Sequence, residues 1–300
     1  MAERFHGVLP ALITPLQEDA GAIDVDALAA NVERLVAAGV GGLVPGGSTG
    51  EFVTLTNAER RQLVETTVEA AAGRVPVVAG TTALSTRETI ELSVHAEESG
   101  AAAVMIAPPF YEPLSWRELY AHYEAVAETI AIPIMYYNLP VATGVRLTAA
   151  QLVELQAAGV TCLKDSGGDA IAATELIQTG GPTLLNGMDT LTFAALAAGV
   201  EAVVWGAASI LPEQCVALHR ALVDECDLAS GRELWARLWP LCHFLEGQSY
   251  AAAVKTACRL VGVVTGPVRR PLLPLTDAAT AELAALLEHA TTPAVESVSR

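Results

Sequence analysis

Short apolar runs alternate with longer stretches in which apolar positions recur at helical spacing, from the N-terminal part of the chain to about residue 210. The runs at 8–14, 40–45, 75–80, 102–107, 132–137, 160–164, 183–186 and 202–205 predict strands. Between them, 26–38, 57–72, 86–99, 115–129, 148–157, 170–178 and 191–198 predict amphipathic helices; in the first, Leu28, Val32, Leu35 and Val36 share one face. Strand-helix units repeated in this way predict a parallel sheet, and eight strands are what closes a (β/α)8 TIM barrel. An open doubly wound sheet is the rival, but no GxGxxG follows the first strand. Beyond the eighth strand only helical patterns remain, at 212–227, 232–245, 250–261 and 278–288, with the extended connector GPVRRPLLPL before the last. The expected division is a barrel over 1–225 that carries the active site and a C-terminal helical extension over 226–300. The apolar extension suits an oligomer contact.

Length and composition narrow the class. A chain of 300 residues fits a single α/β barrel, which takes about 250 residues plus extensions. No apolar run approaches the roughly 18 to 20 residues of a membrane span, and MAERFHGVLPALITP lacks the charged-then-apolar order of a signal peptide. The expectation is a cytoplasmic protein with no membrane partner. Five cysteines, an odd number without CxxC spacing, read as small buried hydrophobes in a reducing compartment, with no metal site. A formal charge of -17 argues against a nucleic-acid partner, and it means that an anionic substrate must be met by local donors and dipoles.

The chemistry centres on one side chain. The chain has two lysines, Lys164 and Lys255, against 15 arginines. Codon bias explains arginine on the surface, but Lys164 ends an apolar strand and is followed at once by Asp165, Ser166 and two glycines. A desolvated amine can lose its proton and attack a carbonyl, which a guanidinium cannot do. The bland alternative is an ion pair with Asp165, although adjacent strand residues point to opposite faces. In a barrel the reacting groups gather at the C-terminal ends of strands. That rule brings Lys164 together with the turn Gly46-Gly47-Ser48-Thr49-Gly50-Glu51, with Pro108-Pro109-Phe110-Tyr111 and with Tyr136-Tyr137-Asn138-Leu139-Pro140. Glycines let backbone amides converge on a small anion, Ser48 and Thr49 add hydroxyls, and one of the paired tyrosines must face the mouth.

GSTGE, FYEP, YNLPVATG and LKDSGGD, in that order and on those strands, resemble the dihydrodipicolinate synthase / N-acetylneuraminate lyase family of pyruvate-dependent class I aldolases. The resemblance covers essentially the whole chain. It implies a barrel with a C-terminal helical extension, a homotetramer built as a dimer of dimers, and catalysis without metal or organic cofactor. Lys164 would form the Schiff base with pyruvate, and Tyr137 would be the general acid/base. Ser48 and Thr49 would grip the pyruvate carboxylate, one of them relaying protons to the tyrosine. Gly187 and Val204 would complete the substrate site, and Tyr111 would reach into a neighbouring subunit's site. Synthases of the family carry an arginine for the carboxylate of aspartate semialdehyde where this chain has Ala142, and a methyl group cannot hold a carboxylate. Sialic acid lyases resemble it in Asn186-Gly187-Met188-Asp189, but Thr190 stands where they have an acid and Gly206 where a sugar-binding serine is expected. The function expected is therefore a pyruvate-dependent Schiff-base aldolase or lyase acting on a 2-oxo acid, such as a 2-keto-3-deoxy sugar acid or 4-hydroxy-2-oxoglutarate. The alternative is 4-hydroxy-tetrahydrodipicolinate synthase, condensing pyruvate with aspartate semialdehyde.

Overall fold

The computed structural model describes residues 5–292, so residues 1–4 of the expected barrel and 293–300 of the expected extension lie outside the described residues. Seven strands, β1 (Gly7–Pro10), β2 (Val78–Gly80), β3 (Ala103–Ile106), β4 (Ile134–Asn138), β5 (Val160–Asp165), β6 (Thr183–Asn186) and β7 (Ala202–Trp205), form one parallel sheet in the order β1-β7-β6-β5-β4-β3-β2. Its two edges meet through the second predicted strand. Val44 pairs in parallel with Ala11 beside β1, and Leu43 with Val77 beside β2. Val44 exchanges backbone bonds of 3.0 Å with Leu12 and Pro10, while the Leu43 carbonyl accepts from the Val78 amide at 2.8 Å. The architecture is an α/β barrel-like ring.

Sequence pattern predicted a full strand at 40–45, and the structure has isolated bridges there. Pro10, Pro45 and Pro76 line this seam and none can donate to a ladder. The backbones also approach closely, since a Cβ on Gly41 would collide with the carbonyl of His6.

Helices α1 (Val25–Ala37), α2 (Asn57–Ala71), α3 (Thr86–Glu98), α4 (Trp116–Ala127), the short α5 (Pro140–Thr143), α6 (Ala149–Glu154), α7 (Ala170–Thr179) and α8 (Thr192–Ala197) connect the strands. Three of them start on the same local device. Thr56, Ser115 and Thr148 cap the third amide of their helices while Glu59, Glu118 and Gln151 reach back, a reciprocal box that satisfies otherwise orphaned amides. Glu59 is also held by Arg269, whose Nη1 and Nη2 donate to its two oxygens at 2.9 and 2.8 Å. The Arg269 hydrogen bonds lead in pulling the Glu59 carboxyl from 4.5 down to about 2. Because the folded value lies below the unfolded one, the stabilisation is complete above pH 4.5 and is lost as the pH falls from there toward 2. Acid unfolding followed by circular dichroism should show an early component between those values that disappears in Glu59→Gln.

Alternation along the strands creates two layers. Met105, Met135, Tyr137, Cys162, Leu185 and Val204 fill the interior, whereas Val104, Ile106, Ile134, Tyr136 and Leu163 pack outward against helices. Four further helices follow: α9 (Pro212–His219), α10 (Leu228–Glu246), α11 (Tyr250–Leu260) and α12 (Asp277–Thr291). They share a core with Trp205 of β7 through Leu238, Leu241, Val254 and Leu283. The predicted helix at 212–227 ends early, passing into a π-helical turn at Arg220–Asp224, and α10 starts before its predicted 232 because Asp227 caps the amides of Ala229 and Ser230. Cys162, Cys215, Cys242 and Cys258 are buried free thiols as expected, but Cys226 is exposed. Among the described residues no helix is long and apolar enough to cross a membrane, and no cluster of three or more His, Cys, Asp or Glu is arranged to hold a metal ion.

Candidate active site

Lys164 and Tyr137 are register partners on β5 and β4, at the strand ends that face the mouth. Because both occupy inward positions, the Lys164 Nζ lies 3.9 Å from the centroid of the Tyr137 ring. Each side chain is buried, 5 % and 7 % exposed respectively. Burial alone would push the Tyr137 phenol up. The Lys164 charge, together with hydrogen bonding to Ser48, Ser166 and Lys164, outweighs burial and holds the phenol below the ordinary tyrosine range. Asp165 points the other way, where Asn138 Nδ2 and the Gly167 amide donate to its Oδ1 at 2.7 and 2.9 Å. No ion pair joins Lys164 to Asp165, nor to any other carboxylate among the described residues. Tyr136 faces outward as alternation requires, tilted against Tyr123 with ring centroids 5.4 Å apart.

The turn Ser48–Gly50 is a single 3-10 turn entered through Gly46, whose φ of 72° is left-handed. Its opening amides have no acceptor within the turn, which leaves the Ser48 and Thr49 N–H groups available beside their hydroxyls. One cavity of about 580 Å³ is lined by Ser48, Thr49, Tyr137, Lys164, Gly187 and Val204. Gly187 must be glycine there, because a Cβ would sit 2.8 Å from both Cγ and Cε of Lys164 and 2.5 Å from the Ser166 hydroxyl. Ser166 in turn donates to the Gly187 carbonyl at 2.7 Å. Beyond Tyr137 a second, apolar cavity of about 510 Å³ is walled by Phe52, Val53, Met105, Phe110 and Ala142. Tyr111 lines neither cavity and is 85 % exposed on the loop after β3.

The far wall of the lysine cavity is acidic. Asp189 is 3 % exposed, and burial pushes its carboxyl up to about 7 against the opposing pull of the Tyr250 hydroxyl, which donates to Oδ1 at 2.8 Å. Gly206 and Ala207 amides donate to the same carboxylate at 3.4 and 3.2 Å. A side chain on Gly206 would collide with the Tyr250 hydroxyl. Glu246, at the end of α10, also lines this cavity and is bound by the amide and hydroxyl of Thr190 at 3.1 and 2.6 Å.

These features have close counterparts in known proteins. The family model described as the dihydrodipicolinate synthetase family matches residues 4–290. The chain belongs to that family. Over 285 residues, 93 % of this chain and 95 % of its relative, it is 38 % identical to the 4-hydroxy-tetrahydrodipicolinate synthase of Methanothrix thermoacetophila. A crystal structure of a dihydrodipicolinate synthase superposes with a TM-score of 0.90 at 34 % identity, covering 95 % of this chain and 98 % of that one. A prophage protein of the dihydrodipicolinic acid synthase family from E. coli K12, solved in complex with pyruvate, gives 0.91 at 30 % identity over 96 % and 99 % of the two chains. Like the other members of the dihydrodipicolinate synthetase family, the chain is a lyase-class enzyme that forms a Schiff base with pyruvate. The synthase name of its curated relatives favours the alternative function over the expected sugar-acid aldolase.

Within this family frame the C-terminal helices do more than offer an outer surface, contrary to expectation. Glu246 and Tyr250 bring them into the cavity, and Lys255 of α11 anchors the turn after the second strand segment. The Lys255 Nζ donates to Glu51 Oε1 and to the Pro267 carbonyl, both at 2.7 Å, while the Arg269 amide donates to Glu51 Oε2 at 2.8 Å. Both charged side chains are almost fully buried, 2 % and 1 % exposed, and Glu51 holds a left-handed φ of 57° directly after Gly50. Removing one partner strands a buried charge, so Lys255→Met should destabilise the fold by about 3–5 kcal/mol, measured by denaturant unfolding. The double change with Glu51→Gln should recover part of that loss. Both lysines of the chain are thus buried at the mouth, and codon bias accounts for neither. Ser166 was legible as an inward position two residues after Lys164, whereas nothing in the spacing of Glu246 or Tyr250 marks them as cavity residues.

Proposed function

We propose that Lys164 condenses with pyruvate and that the resulting enamine attacks the aldehyde of aspartate semialdehyde, making the chain a 4-hydroxy-tetrahydrodipicolinate synthase. The observation that carries the Schiff-base step is the Lys164 amine lying over the Tyr137 ring inside a cavity shared with Ser48 and Thr49. In this reading the neutral amine adds to the keto carbon, Tyr137 delivers protons to the carbonyl oxygen, and that oxygen leaves as water to give the imine. The methyl carbon then loses a proton, the enamine carbon bonds to the aldehyde carbon, and the aldehyde oxygen takes up a proton. The amino group brought in by aspartate semialdehyde then attacks the imine carbon, closing the ring as the bond to Lys164 breaks and the amine is regenerated. Ser48 and Thr49 hold the carboxylate of pyruvate, Gly187 and Val204 shape the space around it, and no metal or organic cofactor takes part. Solved family members in complex with pyruvate support that substrate. We place the enzyme in the cytoplasm as a (β/α)8 barrel over 1–225 with a helical extension over 226–300. It assembles as a homotetramer in which the exposed Tyr111 completes a neighbouring subunit's site.

A second reading runs the carbon-carbon step backward: the imine forms on a 2-keto-3-deoxy sugar acid or 4-hydroxy-2-oxoglutarate, the bond breaks to an aldehyde and an enamine, and protonation and hydrolysis release pyruvate from Lys164. One observation favours it: among the residues lining the two cavities only Lys164 is cationic, and Ala142 offers no donor for a second carboxylate. Consumption of pyruvate with aspartate semialdehyde, compared with pyruvate release from 2-keto-3-deoxygluconate, separates the two. The synthase reading expects the higher kcat/KM for condensation; a tenfold advantage for cleavage would overturn it.

A further inference from the structure

Glu246 stands in the reaction cavity although it comes from the C-terminal helices, and among the described residues its two oxygens are held by Thr190 alone. A carboxylate offers about four acceptor positions, so two bonds leave capacity on the cavity side. Asp189 beside it is more fully committed, to Tyr250, Gly206 and Ala207. With the Glu246 carboxylate on this wall and no guanidinium among the cavity residues, a substrate group that donates hydrogen bonds is favoured there and an anion is repelled.

We propose that Glu246 is a specificity-determining residue for the second substrate, accepting a hydrogen bond from a hydroxyl or ammonium group beside the aldehyde and turning away substrates that present a carboxylate at that wall. This rests on the Schiff-base reading of Lys164. The shared chemistry is the donor; the two sources are a hydroxyaldehyde and an aminoaldehyde.

The test compares the wild-type enzyme with Glu246→Gln and Glu246→Ala, using D-glyceraldehyde, aspartate semialdehyde and glyoxylate as partners for pyruvate. Borohydride capture of pyruvate is measured in parallel, and melting confirms the fold. Glu246→Ala should lower kcat/KM by roughly 10- to 100-fold for the preferred donor-bearing aldehyde while pyruvate capture persists. Glu246→Gln, which keeps an acceptor oxygen but loses the charge, should stay within about threefold for a hydroxyl partner and fall further for an ammonium partner. Glyoxylate, whose carboxylate adjoins its aldehyde, should improve in both variants. Unchanged kcat/KM in Glu246→Ala overturns the proposal, as does parallel loss of pyruvate capture, or a wild-type enzyme that captures pyruvate and turns over neither donor-bearing aldehyde. Failure of the wild-type enzyme to capture pyruvate at all would instead remove the underlying Schiff-base reading, and the proposal with it.

Discussion

Lys164→Ala is expected to lose turnover by about 10³-fold or more, the scale of deleting a covalent nucleophile, while the protein remains folded. The two halves of that outcome follow from separate features. Among the described residues nothing else in the cavity can form an imine, since Lys164 is the one amine that lines it. No carboxylate is left unpaired by the change, because Lys164 has no ion-pair partner among the described residues. Loss of a buried amine without such a partner removes a desolvation cost, so the melting temperature should hold or rise. Lys255→Met inverts the pattern, because there the loss strands Glu51. Measuring kcat/KM and melting for both lysine variants therefore distinguishes a reacting lysine from an anchoring one. Retained turnover in Lys164→Ala would contradict the assignment.

Tyr137→Phe should lower kcat by about 10²- to 10⁴-fold, the usual range for removing a general acid/base. The ring that packs over Lys164 is kept, so the loss reports the hydroxyl alone. The pH profile gives a second readout. A phenol held below its ordinary range by the lysine charge should contribute an alkaline limb to the wild-type rate profile, and that limb should be absent from Tyr137→Phe. If both the rate and the limb survive, the proton is carried by another group, with Ser48 or Ser166 next in line.

Much of the reacting pair was legible because strand alternation is a strict rule. Period two separates Tyr136 from Tyr137 and Lys164 from Asp165, and parallel neighbours then bring Tyr137 and Lys164 side by side. The glycine at 187 was readable as a motif position, but its reason, clearance for the lysine stem, needed coordinates. What escaped the sequence involves contacts between distant segments. The seam at 40–45 reads as a strand by apolar content, and only its neighbours reveal that it runs between segments carrying Pro10 on one side and Pro76 on the other. Glu51 looks like one more polar turn residue until Lys255 and the Arg269 amide, more than 200 residues away, are seen on its carboxylate. Glu246 and Tyr250 flank the break between α10 and α11, and neither their spacing nor their type signals that this break folds over the mouth.

The central claim is the covalent step, and borohydride reduction of the enzyme in the presence of pyruvate tests it most directly, with intact-mass measurement followed by peptide mapping. The account predicts one reduced pyruvate adduct per chain, located on the peptide that contains Lys164 and absent from Lys164→Ala. An adduct on Lys255, or none with any 2-oxo acid tried, would contradict it.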